Sequence, residues 1–161
     1  GMLIRPAQET DWEALSALFA SARAFMRQCG NPHQWGDNYP DREIILKDIQ
    51  RGVGYVCTED GEILAYFALP VGPDPTYAYI DGAWLNDRPY GALHRVASSG
   101  KVRGMADVII RWAFERTGNL RGDTHALNLP MQRAFERNGF VYCGTIWVED
   151  ATPRKAYQKQ A

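Results

Sequence analysis

The sequence predicts an α+β domain in which a mixed, largely antiparallel central sheet is flanked by helices. Three observations carry this. Strand and helix patterns follow in the order β, α, α, β, β, β, α, β, α, β, β, so they mix without strict alternation. An Asp60-Gly61 dipeptide lies between two β-rich runs, a strong hairpin signal. Between Leu93 and Phe140, two strands each pass through a small-residue or capping turn into an amphipathic helix.

Taken in order, Leu3 to Pro6 reads as extended. Thr10-Asp11-Trp12-Glu13 has the form of a capping box, and Trp12, Leu15, Leu18, Phe19, Ala22 and Met26 recur at helical spacing. A first helix is therefore expected from about Asp11 to Gln28. Gly30 to Pro40 is a loop holding Trp35 and Tyr39. Asp41 caps a second helix whose Ile44, Ile45, Leu46 and Ile49 form one face, and Arg51-Gly52 ends it. Tyr55 to Thr58 and Ile63 to Leu69 are the hairpin strands. Pro70 to Pro75 is a loop, Tyr77 to Ile80 has strand character, and Leu85 to Tyr90 is a polar connection.

Leu93 to Ala97 is the next strand, and Met105 to Arg116 is a helix with Val108, Ile109, Trp112 and Ala113 inward. Leu120 to His125 is a strand. Asn128 caps the last helix, where Pro130 sits harmlessly in the first turn and Gly139 marks the stop. Phe140 to Val148 and Arg154 to Lys159 close the sheet as an antiparallel pair. The expectation is one domain spanning residues 1–161, with Gly1 ahead of Met2 read as a remnant of tag removal.

Hydrophobic residues make up 45% of the 161 and aromatics 12%, which suits a packed interior and excludes a disordered chain. With 18 basic and 19 acidic residues the net charge is −1, which speaks against a general nucleic-acid binder. Cys29, Cys57 and Cys143 are scattered, as are His33, His94 and His125, so neither a disulfide framework nor a metal site is expected. No apolar run has membrane-spanning length and the start lacks the apolar middle of a secretory signal, so the expected location is cytoplasmic.

The turn from Ser98 to Gly104 runs from a strand into a helix start. Unpaired backbone N–H groups converge at such a turn and the helix dipole favours an anion, so a ligand carrying phosphates is expected. Within it, Lys101-x-x-Gly104-x-Ala106 resembles the phosphate-loop motif of the GNAT superfamily of N-acetyltransferases, with Lys where the family places Gln or Arg. Asn128-x-x-Met131-x-x-Ala134-Phe135-Glu136-x-x-Gly139-Phe140 is similar to that family's Asn-x-x-Ala-x-x-x-Tyr-x-x-x-Gly-Phe segment. The resemblance covers nearly the whole chain and implies the GNAT acyl-CoA N-acyltransferase fold.

The resemblance also implies acetyl-CoA (coenzyme A) as cofactor. The backbone of Gly100, Lys101, Val102, Arg103, Gly104, Met105 and Ala106 would hold its diphosphate, and Asn128 its pantetheine arm. Amides near Val96 and Ala97 would face the developing oxyanion, and Arg133 joins the cofactor-binding set; Arg95 and Arg133 are also the candidate partners for an acceptor carboxylate. The implied reaction moves acetyl directly to a primary amine of a small-molecule or amino-acid-like acceptor. Direct attack needs no enzyme nucleophile but does need a base, for which His94, His125 and Asp81 are the candidates. Trp35, Tyr39, Tyr79 and Trp84 are the candidate acceptor contacts. Phe135 stands where the family often has a Tyr acid, and a phenyl ring gives no proton. That departure motivates the alternative, a non-catalytic acyl-CoA-binding sensor. No nucleic-acid or membrane partner is expected, and a homodimer is left open.

Overall fold

The computed structural model describes residues 1–161. Eight strands follow one another in the order β1-β2-β3-β5-β6-β8-β7-β4, with four helices. The parallel pair is β5–β6, and the other registered pairs are antiparallel. The chain forms two compact units. One is Gly1–Leu69 with Arg95–Ala106, the other Pro70–His94 with Asp107–Ala161.

The first unit holds β1 (Met2–Pro6), α1 (Trp12–Gln28), α2 (Arg42–Gln50), β2 (Gly54–Glu59), β3 (Glu62–Ala68) and the second half of β5 (Gly91–Ser98). Glu59 pairs with Glu62 across a two-residue loop in which Asp60 and Gly61 both have positive φ, as a primed hairpin turn requires. Leu15, Leu18, Phe19 and Ala22 form the buried stripe of α1 and pack with Ile45, Val56, Tyr66 and Ala97. Asp41 accepts from the Ile44 N–H at 3.0 Å, so α2 is capped as expected.

The Thr10–Glu13 capping box does not form. Glu9–Asp11 make a 3-10 turn and α1 starts at Trp12. The cause is Asp11, whose carboxylate accepts the Gln8 N–H at 2.8 Å and two bonds from the Arg5 guanidinium at 2.9 Å. The Arg5 bond, opposed by burial, holds the carboxyl below its ordinary pKa, so this turn closes around an ion pair.

The second unit holds the first half of β5, β4 (Asp81–Gly82), β6 (Asn119–Thr124), α4 (Leu129–Arg137), β7 (Val141–Trp147), β8 (Pro153–Gln160) and all of α3 (Met105–Thr117) beyond its first two residues. Asp74 to Ile80 is not a strand. Asp74 accepts from Thr76 N–H at 3.0 Å, Pro75 opens a 3-10 turn, and the buried Tyr77 takes a bond from Trp84 Nε1 on its carbonyl at 3.0 Å. Strand pairing starts only at Asp81, opposite Thr145. The following connection is tied down by side-chain amides. Asn86, Asn119 and Gln158 bond one another, and Asn119 also donates to the Pro89 carbonyl.

On the α4 side of β6, Phe135 lies between Phe140 and Tyr157, with ring centroids 4.8 and 4.9 Å away. Gly122 leaves the room for it: a Cβ there would sit 2.7 Å from Phe135 Cζ. Gly122→Ala is therefore expected to destabilise by about 1–3 kcal/mol, because neighbours on both sides stop the ring from yielding. A urea midpoint equal to the parent's would contradict this packing.

Candidate active site

In the first unit, the chain leaves β5 through Ser98–Gly104 and enters α3. Gly100 and Gly104 have φ of 80° and 81°, conformations that a side chain resists. The Gly100 N–H donates to Ser98 Oγ and the Lys101 N–H to Ser99 Oγ, both at 3.2 Å. Lys101 Nζ forms an ion pair with Glu62 of β3, and both partners are exposed. Val102, Arg103 and Gly104 are exposed and Met105 is buried. The first-turn N–H groups of the 13-residue α3 have no partner within the helix, so this exposed turn can receive an anion.

Just upstream, β5 is kinked. Arg95 has φ of 55°, the left-handed region, inside a strand. Val96 is half-buried and Ala97 lies in the core of this unit.

In the second unit, β5 and β6 are registered over three pairs only, ending at Leu93↔Gly122. The next residues of the two strands, His94 and Asp123, both carry polar side chains engaged by the 74–77 turn. His94 Nε2 donates to Asp74 Oδ2 at 2.6 Å, and Tyr77 Oη donates to Asp123 Oδ2 at 2.6 Å. The His94 and Tyr77 rings are 5.8 Å apart. Burial acts to raise the Asp74 pKa, but bonds from His94 and Thr76 outweigh it and bring it from 3.8 to about 2. Burial, with Asp123 adjacent, pushes the Tyr77 phenol well up, so it stays protonated. Two residues before Asp123, the buried Arg121 sits between the Tyr90 and Trp84 rings, at 3.9 and 4.2 Å.

A carboxyl held below its unfolded value contributes stability that is present above about pH 4 and lost as pH falls toward the folded value. The melting-temperature advantage of the parent over Asp74→Asn is thus expected to shrink between about pH 4 and pH 2, and an advantage constant over that range would contradict it.

The expected residues separate as follows. His94 joins a polar cluster with Asp74, Tyr77 and Asp123. His125 lies just past β6, where its Nδ1 accepts from Leu127 N–H at 3.0 Å and its carbonyl from Asn128 N–H. Asp81 is exposed on β4, the edge strand, separated from β6 by β7 and β8. Asn128 caps α4, with Oδ1 accepting from Met131 N–H at 3.1 Å, and Arg133 is exposed on that helix. Trp35 is buried, edge-on to Phe19 and Tyr39. Tyr39 Oη accepts from Arg95 Nη1 at 3.1 Å. Tyr79 is exposed beside Trp147, and Trp84 is taken up by Tyr77 and Arg121. Phe135 is core. Of the residues that follow it in sequence, Tyr142 is exposed, and Cys143 is buried with its thiol pKa raised by that burial.

Asp74, Asp123 and Tyr77 escaped the sequence reading. One signal was present: Arg121 and Asp123 are two charges inside a six-residue strand pattern, an anomaly for an interior strand. No cluster of His, Cys, Asp or Glu is placed to hold a metal ion, and no helix is long and apolar enough to cross a membrane.

No protein-family model matches the sequence, and no curated protein does at a significant level. Solved structures do match. A GNAT-family acetyltransferase from Streptococcus agalactiae is 34% identical over 100% of this chain and 96% of its own, with a TM-score of 0.91. One from Listeria monocytogenes is 21% identical over 99% and 95%, with a TM-score of 0.74. A Salmonella typhimurium protein solved with its cofactor acetyl-CoA is 14% identical over 99% and 93%, with a TM-score of 0.65. The last two share the fold, whereas the streptococcal protein is also related in sequence along the whole chain. With that kinship, and with a glycine turn at the head of α3 and a β5–β6 pairing that stops after three residues, the chain belongs to the GNAT family of acetyltransferases.

Proposed function

We propose that this acetyltransferase uses acetyl-CoA to acetylate a primary amine on a small-molecule or amino-acid-like acceptor. The observation that carries the reading is the exposed turn at the head of α3, where left-handed Gly100 and Gly104 bring bare backbone to the surface. Backbone that approachable suits a diphosphate, so the residues present fit the cofactor. Gly100 through Ala106 would hold that group, and Val96, Ala97, Asn128 and Arg133 would hold the rest. Acetyl-CoA, when bound, supplies an acetyl group activated as a thioester.

The chain's own part is proton and charge management. Nε2–H of His94 is committed to Asp74, which leaves Nδ1 with its lone pair to take a proton from the amine. Asp74 stays ionised and stabilises the imidazolium that results. Asp123, held by the Tyr77 hydroxyl, supplies a carboxylate that suits an alkylammonium before it loses its proton. Phe135 contributes packing and no proton.

Gly104→Val is expected to weaken coenzyme A binding by at least about tenfold in calorimetry, since a β-branched residue resists the left-handed turn and blocks close approach of the anion. Unchanged affinity would remove the turn from the binding site. The reading as a whole is tested by thiol release from acetyl-CoA across a panel of primary amines. Turnover with at least one is expected. Phe135 favours a second reading, an acyl-CoA sensor without turnover; tight coenzyme A binding with no amine accepted would establish that in place of the first.

A further inference from the structure

The first unit buries an ion pair that the reaction scheme leaves unused. Asp48, on α2, is 2% exposed, and its carboxylate receives Arg95 Nε on Oδ2 at 2.8 Å and Arg95 Nη2 on Oδ1 at 2.7 Å. Tyr66 of β3 donates its hydroxyl to the same Oδ2 at 2.6 Å, and Arg95 Nη1 donates to the Tyr39 hydroxyl at 3.1 Å. The guanidinium is therefore fixed from two directions, by α2 and by the loop before it, while β3 holds Asp48 in place through Tyr66. Burial works against the charge on Arg95, but Tyr39 and Asp48 raise its pKa above the usual arginine range. Burial, reinforced by Asp48, raises the Tyr66 phenol, so Tyr66 remains a donor.

The residue so anchored is also the one with the strained backbone. Arg95 holds φ of 55° inside β5. Glycine would adopt that conformation freely, whereas a residue with a Cβ needs its surroundings to impose it. The long side chain, locked at its far end, is the restraint at hand. The peptide before Arg95 belongs to His94 and the peptide after it carries the Val96 N–H, so the rotation frozen at Arg95 sets the direction of both.

We propose that the Asp48–Arg95–Tyr66 clamp is a positioning device: it holds the left-handed kink in β5 and thereby aims the Val96 amide and the outgoing course of the strand. Its catalytic consequence rests on the acetyl-transfer reading above; its effect on the backbone does not. Arg95, Asp48 and Tyr66 are positioning residues, acting through the Val96 peptide.

Arg95→Gly separates the two halves of the idea, because it permits the kink but removes the clamp. In that variant the Val96 amide is expected to shift in a nitrogen–proton spectrum and to exchange at least about tenfold faster, with amides on α1 unchanged. With a turned-over amine, kcat is expected to fall by about tenfold or more while KM for acetyl-CoA stays within about twofold. Should the lone Asp48 charge prevent folding, Asp48→Asn combined with Arg95→Gly leaves no buried ion and is read the same way. Tyr66→Phe keeps the ring and loosens only Asp48, and is expected to move the Val96 amide less in the same direction. A folded variant with an unmoved Val96 amide and parental exchange would overturn the proposal, as would unchanged kcat per folded molecule. If the parent acetylates no amine, the acetyl-transfer reading fails by itself and the Val96 measurements alone decide the clamp.

Discussion

His94→Ala is expected to lower kcat by about 10²–10⁴-fold, the range that a positioned acid–base group supplies. The side chain suits that role because its ring is oriented from one end, with Nε2 bonded to Asp74 and the ring resting near Tyr77. Coenzyme A affinity should change little, because the turn at the head of α3 belongs to a different set of residues. Asp74→Asn should move kcat in the same direction by less, since it weakens the hold on the tautomer without deleting the imidazole. Parental kcat in a folded His94→Ala would shift the base to another group, and Asp123 is then the next candidate in the same cluster.

Asp48→Ala is expected to produce the largest loss of stability, about 3–5 kcal/mol. It would strand the Arg95 guanidinium, whose side chain is 15% exposed, without its bidentate partner, and leave the Tyr66 hydroxyl unbonded in the core. Against a typical total of about 5–15 kcal/mol for a domain, such a loss is a large fraction. Converting both charges together, with Asp48→Leu and Arg95→Met, should recover part of it, because no buried ion then remains uncompensated. Urea midpoints at equal slope check both statements; a single variant no worse than the double would contradict them.

Several elements were legible without any fold. Asp60-Gly61 closes its hairpin because the two residues supply the positive φ that the turn needs, and four of the six periodic residues named for α1, Leu15, Leu18, Phe19 and Ala22, are its buried stripe. Asp41, Asn128 and Gly139 punctuate helices where they were expected to. The misses have one character. Thr10 is a good cap by type, yet Asp11 directs the turn because Arg5 binds it. Tyr77 has strand propensity, yet Asp74 and Pro75 start a 3-10 turn and the phenol is drawn to Asp123. Trp35 packs edge-on to Phe19 and Trp84 tilts against Tyr77, ring contacts that residue type alone does not announce.

Turn chemistry, capping and apolar period act over a handful of residues, so the order of strands and helices apart from the two-residue β4, and the glycine turn before α3, were readable from the chain alone. Charge pairing does not act locally. Asp48 meets Arg95 across 47 positions, Tyr77 meets Asp123 across 46, and His94 meets Asp74 across 20. Which carboxylate serves as helix decoration, which orients an imidazole and which locks a strained strand depends on burial and on what the sheet brings beside it, and only folding settles that.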